Sequence, residues 1–92
     1  MVYNELMKKF ERFMKSLANR RRLEIVKYLS QHKKCTVGIL AEQIKLSFKS
    51  TSKHLAVLKS ADIIDGEQTG LSVYYSLSEP VHPITKIIIA SL

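Results

Sequence analysis

The sequence predicts a mainly α fold with one small β-hairpin, in the order α-α-α-α-β-β-α, and three observations predict it. Apolar residues recur at helical spacing from residue 6 to residue 58. Three residues suited to helix N-caps, Asn19, Thr36 and Ser47, divide that stretch into helices. Beyond residue 62 the period falls to two, in a β-branched and aromatic run around Thr69-Gly70.

Each element follows from its own residues. In the first segment Leu6, Met7, Phe10, Phe13, Met14 and Leu17 line one side, with Lys8, Lys9, Glu11, Arg12 and Lys15 between them. That pattern is one amphipathic helix over roughly residues 3–17. Asn19 caps a second helix with Leu23, Ile25, Val26 and Leu29 inward, ending near Gln31, and "QHKK" reads as a connector. Thr36 caps a short third helix with Val37, Leu40, Ala41 and Ile44 inward. Three residues later Ser47 caps a fourth, on which Thr51, Leu55 and Leu58 stack along one side. A short helix, a tight turn and a longer helix with a polar outer face make a helix-turn-helix over residues 36–60. Leu71, Val73, Tyr75 and Leu77 then alternate with Ser72, Tyr74 and Ser76 in a hairpin over residues 63–77, a β-wing. A proline-punctuated start and a run of isoleucines predict a closing helix from about 81 to 91.

The 92 residues bound the chain to one small domain, residues 1–92. A domain of this size buries only about 60–65% of its unfolded surface, so association with a second copy would help it. Fifteen Lys and Arg against eight Asp and Glu leave a net charge of +7, which favours a polyanionic partner, nucleic acid before membrane. The alternative is that the charge serves solubility alone. A single cysteine excludes an intrachain disulfide framework and, with neither a signal peptide nor a long apolar span, points to the cytoplasm.

Charge is concentrated where the fourth helix turns outward. Opposite Leu55 and Leu58 lie Lys49, Ser52, Lys53, Ala56 and Ser60, with Phe48 at the start. From residue 44 to 61 there are four lysines and no Asp or Glu. A merely solvated helix usually mixes signs to gain i,i+4 pairs. Omitting acids suits a helix that lies against phosphates, and small residues at 52 and 56 allow close approach to a groove floor.

The blocks "SLANRRRLEIVKYLS", "TVGILAEQIKLS", "STSKHLAVLKSADII" and "GLSVYYSL" resemble, in one ungapped register over about residues 16–77, the arsenic-repressor (ArsR/SmtB) winged-helix transcription regulators. The resemblance implies a homodimer that binds double-stranded operator DNA and releases it when an inducer binds. It implies a recognition helix at residues 47–60, with Phe48, Lys49, Ser52 and Lys53 facing DNA. It also implies positions for metal ligands, and the sequence departs from these. Cysteines of the third-helix metal motif would fall on Thr36 and Gly38, whereas Cys35 stands one residue early, turned about 100° on a helix. Of the last-helix site only His82 is available, and a partner eleven residues on would fall beyond Leu92. The other histidines, His32 and His54, fall in the connector and in the recognition helix. No metal and no cofactor is therefore expected, and the residues name neither an inducer nor an operator.

Cys35 has two readings: a small apolar residue at the start of the third helix, or a redox thiol made acidic by Lys33, Lys34 and a helix N-terminus. The wing departs from the family as well. Between residues 62 and 79 stand Asp62, Asp65, Glu67 and Glu79 with no Lys or Arg, so a mostly structural wing is expected, with Gln68 as a minor backbone contact. Lys33, Lys34 and Thr36 are second-tier phosphate contacts. Arg20, Arg21 and Arg22 open the second helix against its macrodipole, which points to a function for at least one of them, pairing of Arg22 with Glu24 or Glu42 being the alternative.

Both terminal segments, 1–17 and 80–92, are more apolar than one small core requires. Leu6, Phe10, Phe13, Ile84, Ile87 and Ile88 are therefore expected at a dimer interface, packing within a monomer being the alternative. The function this predicts is a dimeric, sequence-specific repressor of an inverted-repeat operator. A winged helix that docks a protein partner is the other reading. An enzyme is not supported, for the chain has no phosphate-cradling glycine loop, no spaced carboxylate pair and no Ser-His-Asp arrangement.

Overall fold

Caps separate the helices at the expected residues in the computed structural model, which describes residues 2–92. Met1, the first residue of the segment assigned to dimerisation, lies outside the described residues. Helix α1 spans Val2–Leu17 and α2 spans Arg20–Gln31, and the Asn19 side chain between them accepts from the N–H of Arg22 at 3.1 Å. Helix α3 spans Val37–Ile44 behind Thr36, whose hydroxyl accepts from the N–H of Ile39. Helix α4 spans Phe48–Ser60 behind Ser47, whose hydroxyl accepts from the N–H of Ser50 at 3.1 Å. Such caps satisfy N–H groups that have no partner within the helix, each contributing about 1 kcal/mol.

Strand β1 (Cys35–Thr36) was not predicted. Strands β2 (Ile64–Thr69) and β3 (Ser72–Leu77) form the hairpin, and β1 joins its open side, giving an antiparallel sheet in the order β1-β3-β2. Cys35 pairs with Tyr75 and Thr36 with Tyr74. A two-residue strand is too short to display a period, and its second residue, Thr36, was legible only as the cap of α3. The element order is therefore α-α-β-α-α-β-β-α.

The hairpin turn falls on Gly70-Leu71, one residue later than Thr69-Gly70, because Thr69 pairs with Ser72. Gly70 has a φ of +64°, which fits the glycine-first pattern of a two-residue hairpin turn. Leu71, which alternates with Ser72 in the sequence, stands fully exposed at the tip. The last helix, α5, spans Pro83–Ser91, starting later than residue 81 because His82 is its cap: its Nδ1 accepts from the N–H of Ile84 at 3.0 Å.

The core lies where α2, α3, α4 and the base of the hairpin meet. Ile25, Val26, Leu40, Leu55, Leu58 and Ile64 have no exposed surface, and each contributes about 1.5–3 kcal/mol by leaving water. Phe13 and Leu17 close this core from α1, and Ile84, Ile88 and Ile89 pack against it from α5. Phe13 is thus corrected from an interface residue to a core residue of its own chain, its ring 4.5 Å from that of His82. The rest of the terminal apolar surface stays open: Leu6 is 62% exposed, Phe10 49% and Ile87 63%.

Candidate nucleic-acid interface

The turn between α3 and α4 sets how α4 is presented. Lys45 closes α3 in the left-handed region with φ 55°, and the N–H of Leu46 returns to the carbonyl of Ala41 at 2.9 Å. The chain thereby reverses in three residues, and Ser47 begins α4. Thr51 then fixes the first turn: its buried hydroxyl donates to the Ser47 carbonyl at 2.8 Å. With Thr51, Leu55 and Leu58 inward, Lys49, Lys53, Ala56 and Ser60 are exposed on the opposite side and Ser52 is half-buried. Phe48 begins the helix with 64% of its surface in solvent.

Two arginines that open α2 hold this framework rather than facing a ligand. Arg21 donates to the carbonyl of Ile44, at the end of α3, and pairs with Glu24 at 3.2 Å. Arg22 donates from Nε to the carbonyl of Ser16 at 2.6 Å and from Nη2 to that of Lys15 at 3.5 Å. The Arg22 pairing expected with Glu24 or Glu42 is therefore corrected. Its guanidinium seeks the carbonyls at the end of α1, which carry the negative end of that helix dipole.

The same guanidinium reaches α4. Nη1 of Arg22 lies 3.2 Å from Nδ1 of His54, and since arginine can only donate, Nδ1 accepts and the imidazole proton sits on Nε2. Arg22 thus ties α1, α2 and α4 at one point. Burial, then the charges of Arg22 and Arg21, hold the His54 pKa below the ordinary imidazole value of 6.5. A depressed histidine pKa leaves the folded state stabilised above pH 6.5, and that stabilisation is lost as pH falls through the folded value. The expected result is a melting temperature that falls on acidification below pH 6.5, with a smaller fall in His54→Gln, read from thermal melts across a pH series.

The wing has two unlike faces. Directly opposed residues of an antiparallel pair share a face. Asp65 opposes Ser76 and Glu67 opposes Tyr74, which places both acids of β2 on one side. Gly66 opposes Tyr75 and Gln68 opposes Val73 on the other. This second, acid-free side borders a cleft of about 310 Å³ that Val73 and Tyr75 share with Phe48 and the start of α3. Gln68 is exposed, its amide donating to the carbonyl of Gly70. Two of the acids that made the wing look unfit for DNA in the sequence, Asp65 and Glu67, thus belong to its far side.

The remaining basic residues scatter. Lys34 sits with Nζ 5.2 Å from the Tyr74 ring, on the acidic side of the wing. Lys33 lines a groove between the end of α2, β3 and α5 that no α4 residue borders. Thr36 borders the Phe48 cleft. Cys35 is buried, and burial pushes its thiol pKa up, partly offset by a backbone hydrogen bond from Leu40. The acidified thiol expected from Lys33, Lys34 and the helix N-terminus is therefore corrected: desolvation outweighs those lysines, which are themselves in water. Among the described residues, no three of His, Cys, Asp and Glu gather closely enough to hold a metal ion. His32 stacks on Tyr28 while His54 and His82 serve Arg22 and the α5 cap.

Residues 19–65 match the family model for bacterial regulatory proteins of the arsR family. The chain belongs to this family. The arsenical resistance operon repressor of Bacillus subtilis strain 168 is 37% identical over 76 residues, covering 83% of this chain and 72% of its own. The transcriptional repressor PagR of Bacillus anthracis is 32% identical over 82% of this chain and 76% of its own length. Its crystal structure aligns with a TM-score of 0.80 over 97% of this chain and 99% of that one, at 26% identity. The homodimeric winged helix-turn-helix DNA-binding domain Mb0332 from Mycobacterium bovis aligns with a TM-score of 0.85, at 25% identity, over 97% of this chain and 80% of that one.

ArsR-family proteins are transcription regulators rather than enzymes, and they bind DNA, commonly as homodimers. The chain is accordingly a winged helix-turn-helix DNA-binding regulator. Among the described residues no helix is long and apolar enough to cross a membrane.

Proposed function

We propose that this ArsR-family chain is a cytoplasmic, dimeric repressor that binds an inverted-repeat operator with α4 in the major groove. One observation carries the reading: the outward side of α4 presents Lys49 and Lys53 around small residues, with no acid anywhere from residue 44 to 61. Phe48, Lys49, Ser52 and Lys53 face base edges and the adjoining phosphates. Thr36, Lys33, Lys34 and Gln68 are assigned backbone contacts around them. Of these, Thr36 and Gln68 adjoin the α4 side of the wing, so they are placed before Lys33 and Lys34.

The dimer is assigned to the open terminal surfaces. Leu6, Phe10 and Ile87 are too exposed for a monomer of this size to leave in water without consequence, and the half-buried Ile84 and Ile88 are assigned with them. Two-fold symmetry then sets two copies of α4 about 34–36 Å apart, one turn of DNA. Light scattering at micromolar concentration is expected to read twice the 10.5 kDa chain mass. Glutamate at both Phe10 and Ile87 is expected to halve it, whereas a wild-type mass of one chain would exclude the dimer.

Selection of bound duplexes from random sequence tests the function as a whole. The expected result is an inverted repeat with half-site centres about 10 bp apart. Binding weaker than micromolar at low salt, with no sequence enriched, would instead favour a winged helix that docks a protein.

A further inference from the structure

We propose that Phe48 reads the 5-methyl group of thymine within the operator half-site, so that this regulator selects 5-methylpyrimidine positions by apolar contact. The inference rests on the DNA-binding reading of α4 and assigns one residue of that surface a specific ligand chemistry.

A phenyl ring at the head of a DNA-facing helix is a costly choice unless it meets something apolar. Phe48 keeps 64% of its surface in solvent although it packs beside the start of α3. The apolar area around it is continuous: Val37, Leu71 and Val73 border the same cleft of about 310 Å³, and Leu71 at the wing tip is wholly exposed. Gly38 lines that cleft too, and a Cβ there would meet nothing within 4 Å, so the approach to the ring from α3 is open.

Charge decides between nucleic acid and a protein as the occupant. Lys49 follows Phe48 directly and Lys53 stands one turn further on the exposed side, with no acid on α4 to oppose them. The acids of β2 lie on the face of the wing turned from the cleft. The surroundings of the ring are therefore cationic and apolar at once. On the edges of base pairs in the major groove, the only apolar group is the thymine methyl. A side chain with no donor or acceptor can discriminate there only through that methyl, since a cytosine or purine edge presents polar atoms that the ring would leave unpaired.

Deoxyuridine is the probe, because it keeps every hydrogen-bonding group of thymine and lacks the methyl. An operator obtained by selection is resynthesised with each thymine replaced in turn by deoxyuridine, and affinities are measured by fluorescence anisotropy. The wild-type chain is expected to lose about fourfold in affinity at one or more thymines of each half-site, the equivalent of one buried methyl. Phe48→Ala is expected to bind the thymine and uracil duplexes alike, with the salt slope of the wild type retained. Phe48→Leu, which keeps an apolar side chain, is expected to retain part of the dependence. Since Phe48 is largely exposed, these variants fold, and a thermal melt confirms it. Specific binding that tolerates uracil at every position would overturn the methyl readout while leaving the DNA-binding reading intact. Uracil sensitivity that persists unchanged in Phe48→Ala would overturn the assignment to Phe48. Absence of any sequence-specific binding would instead overturn the proposed function, and this inference with it.

Discussion

Alanine at both Lys49 and Lys53 is expected to lower operator affinity by about 100-fold or more, with the fold intact. Each contact of a lysine with a base edge or its phosphate is worth about 1–3 kcal/mol, and the two lysines stand one helical turn apart on the exposed side of α4. No hydrogen bond or ion pair involves either side chain among the described residues, so their removal leaves no partner orphaned. Lys49 also stands in the first turn of α4, where a cation opposes the helix dipole, and alanine there relieves a small repulsion. Stability should therefore hold or rise slightly while binding falls. Titration at several salt concentrations separates the two roles. Loss of two phosphate contacts flattens the dependence of log affinity on log salt by about two units. Unchanged affinity and an unchanged slope would remove α4 from the DNA surface.

Leu55→Ala carries the largest expected effect on stability, a loss of about 2–5 kcal/mol. A chain of 92 residues has a total of only about 5–14 kcal/mol to lose. Leu55 has no exposed surface, and it anchors the middle of α4 between Thr51 and Leu58 against α2, α3 and the base of the hairpin. The cavity left by truncation lies at the meeting point of these elements, where none can close it without shifting the others. Urea denaturation followed by circular dichroism measures the loss. Val57→Ala, a change of similar chemistry at a residue 39% exposed, is expected to cost less than about 0.5 kcal/mol. Near-equal midpoints for the two variants would contradict the placement of Leu55 in the core.

What was legible in the sequence was local. Asn19, Thr36 and Ser47 announce their helices because a cap acts on N–H groups two or three residues away. The side of α4 that faces solvent was legible for the same reason, since one period relates Leu55 and Leu58 to Lys49 and Lys53. What escaped depends on contacts distant in sequence. Strand β1 exists only because Cys35 and Thr36 meet Tyr75 and Tyr74. The apolar side of α1 is continuous in the sequence, and only its packing against the rest of the fold divides it into a buried Phe13 and an open Leu6 and Phe10. The basic start of α2 suggested a function for at least one arginine or an ion pair for Arg22. Arg21 and Arg22 turn instead to carbonyls at the ends of α3 and α1, partners that no pattern of side chains reveals. His54 was noted only as part of a familiar "HL" pair, and its tie to Arg22 crosses from one helix to another.

The alternation along the wing places a constraint on its length. Side chains of a strand point to opposite faces in turn, so a single-residue insertion or deletion within β2 exchanges the two sets. Such a change would carry Glu67 to the side of Phe48 and send the Gly66 and Gln68 positions to the far side. The cleft beside Phe48 would gain a carboxylate without any substitution having been made. Length variation in this hairpin is therefore tolerable only in steps of two within a strand, or in the turn at Gly70-Leu71, where no face is assigned. Evolutionary change in the wing should be governed by parity before it is governed by residue type.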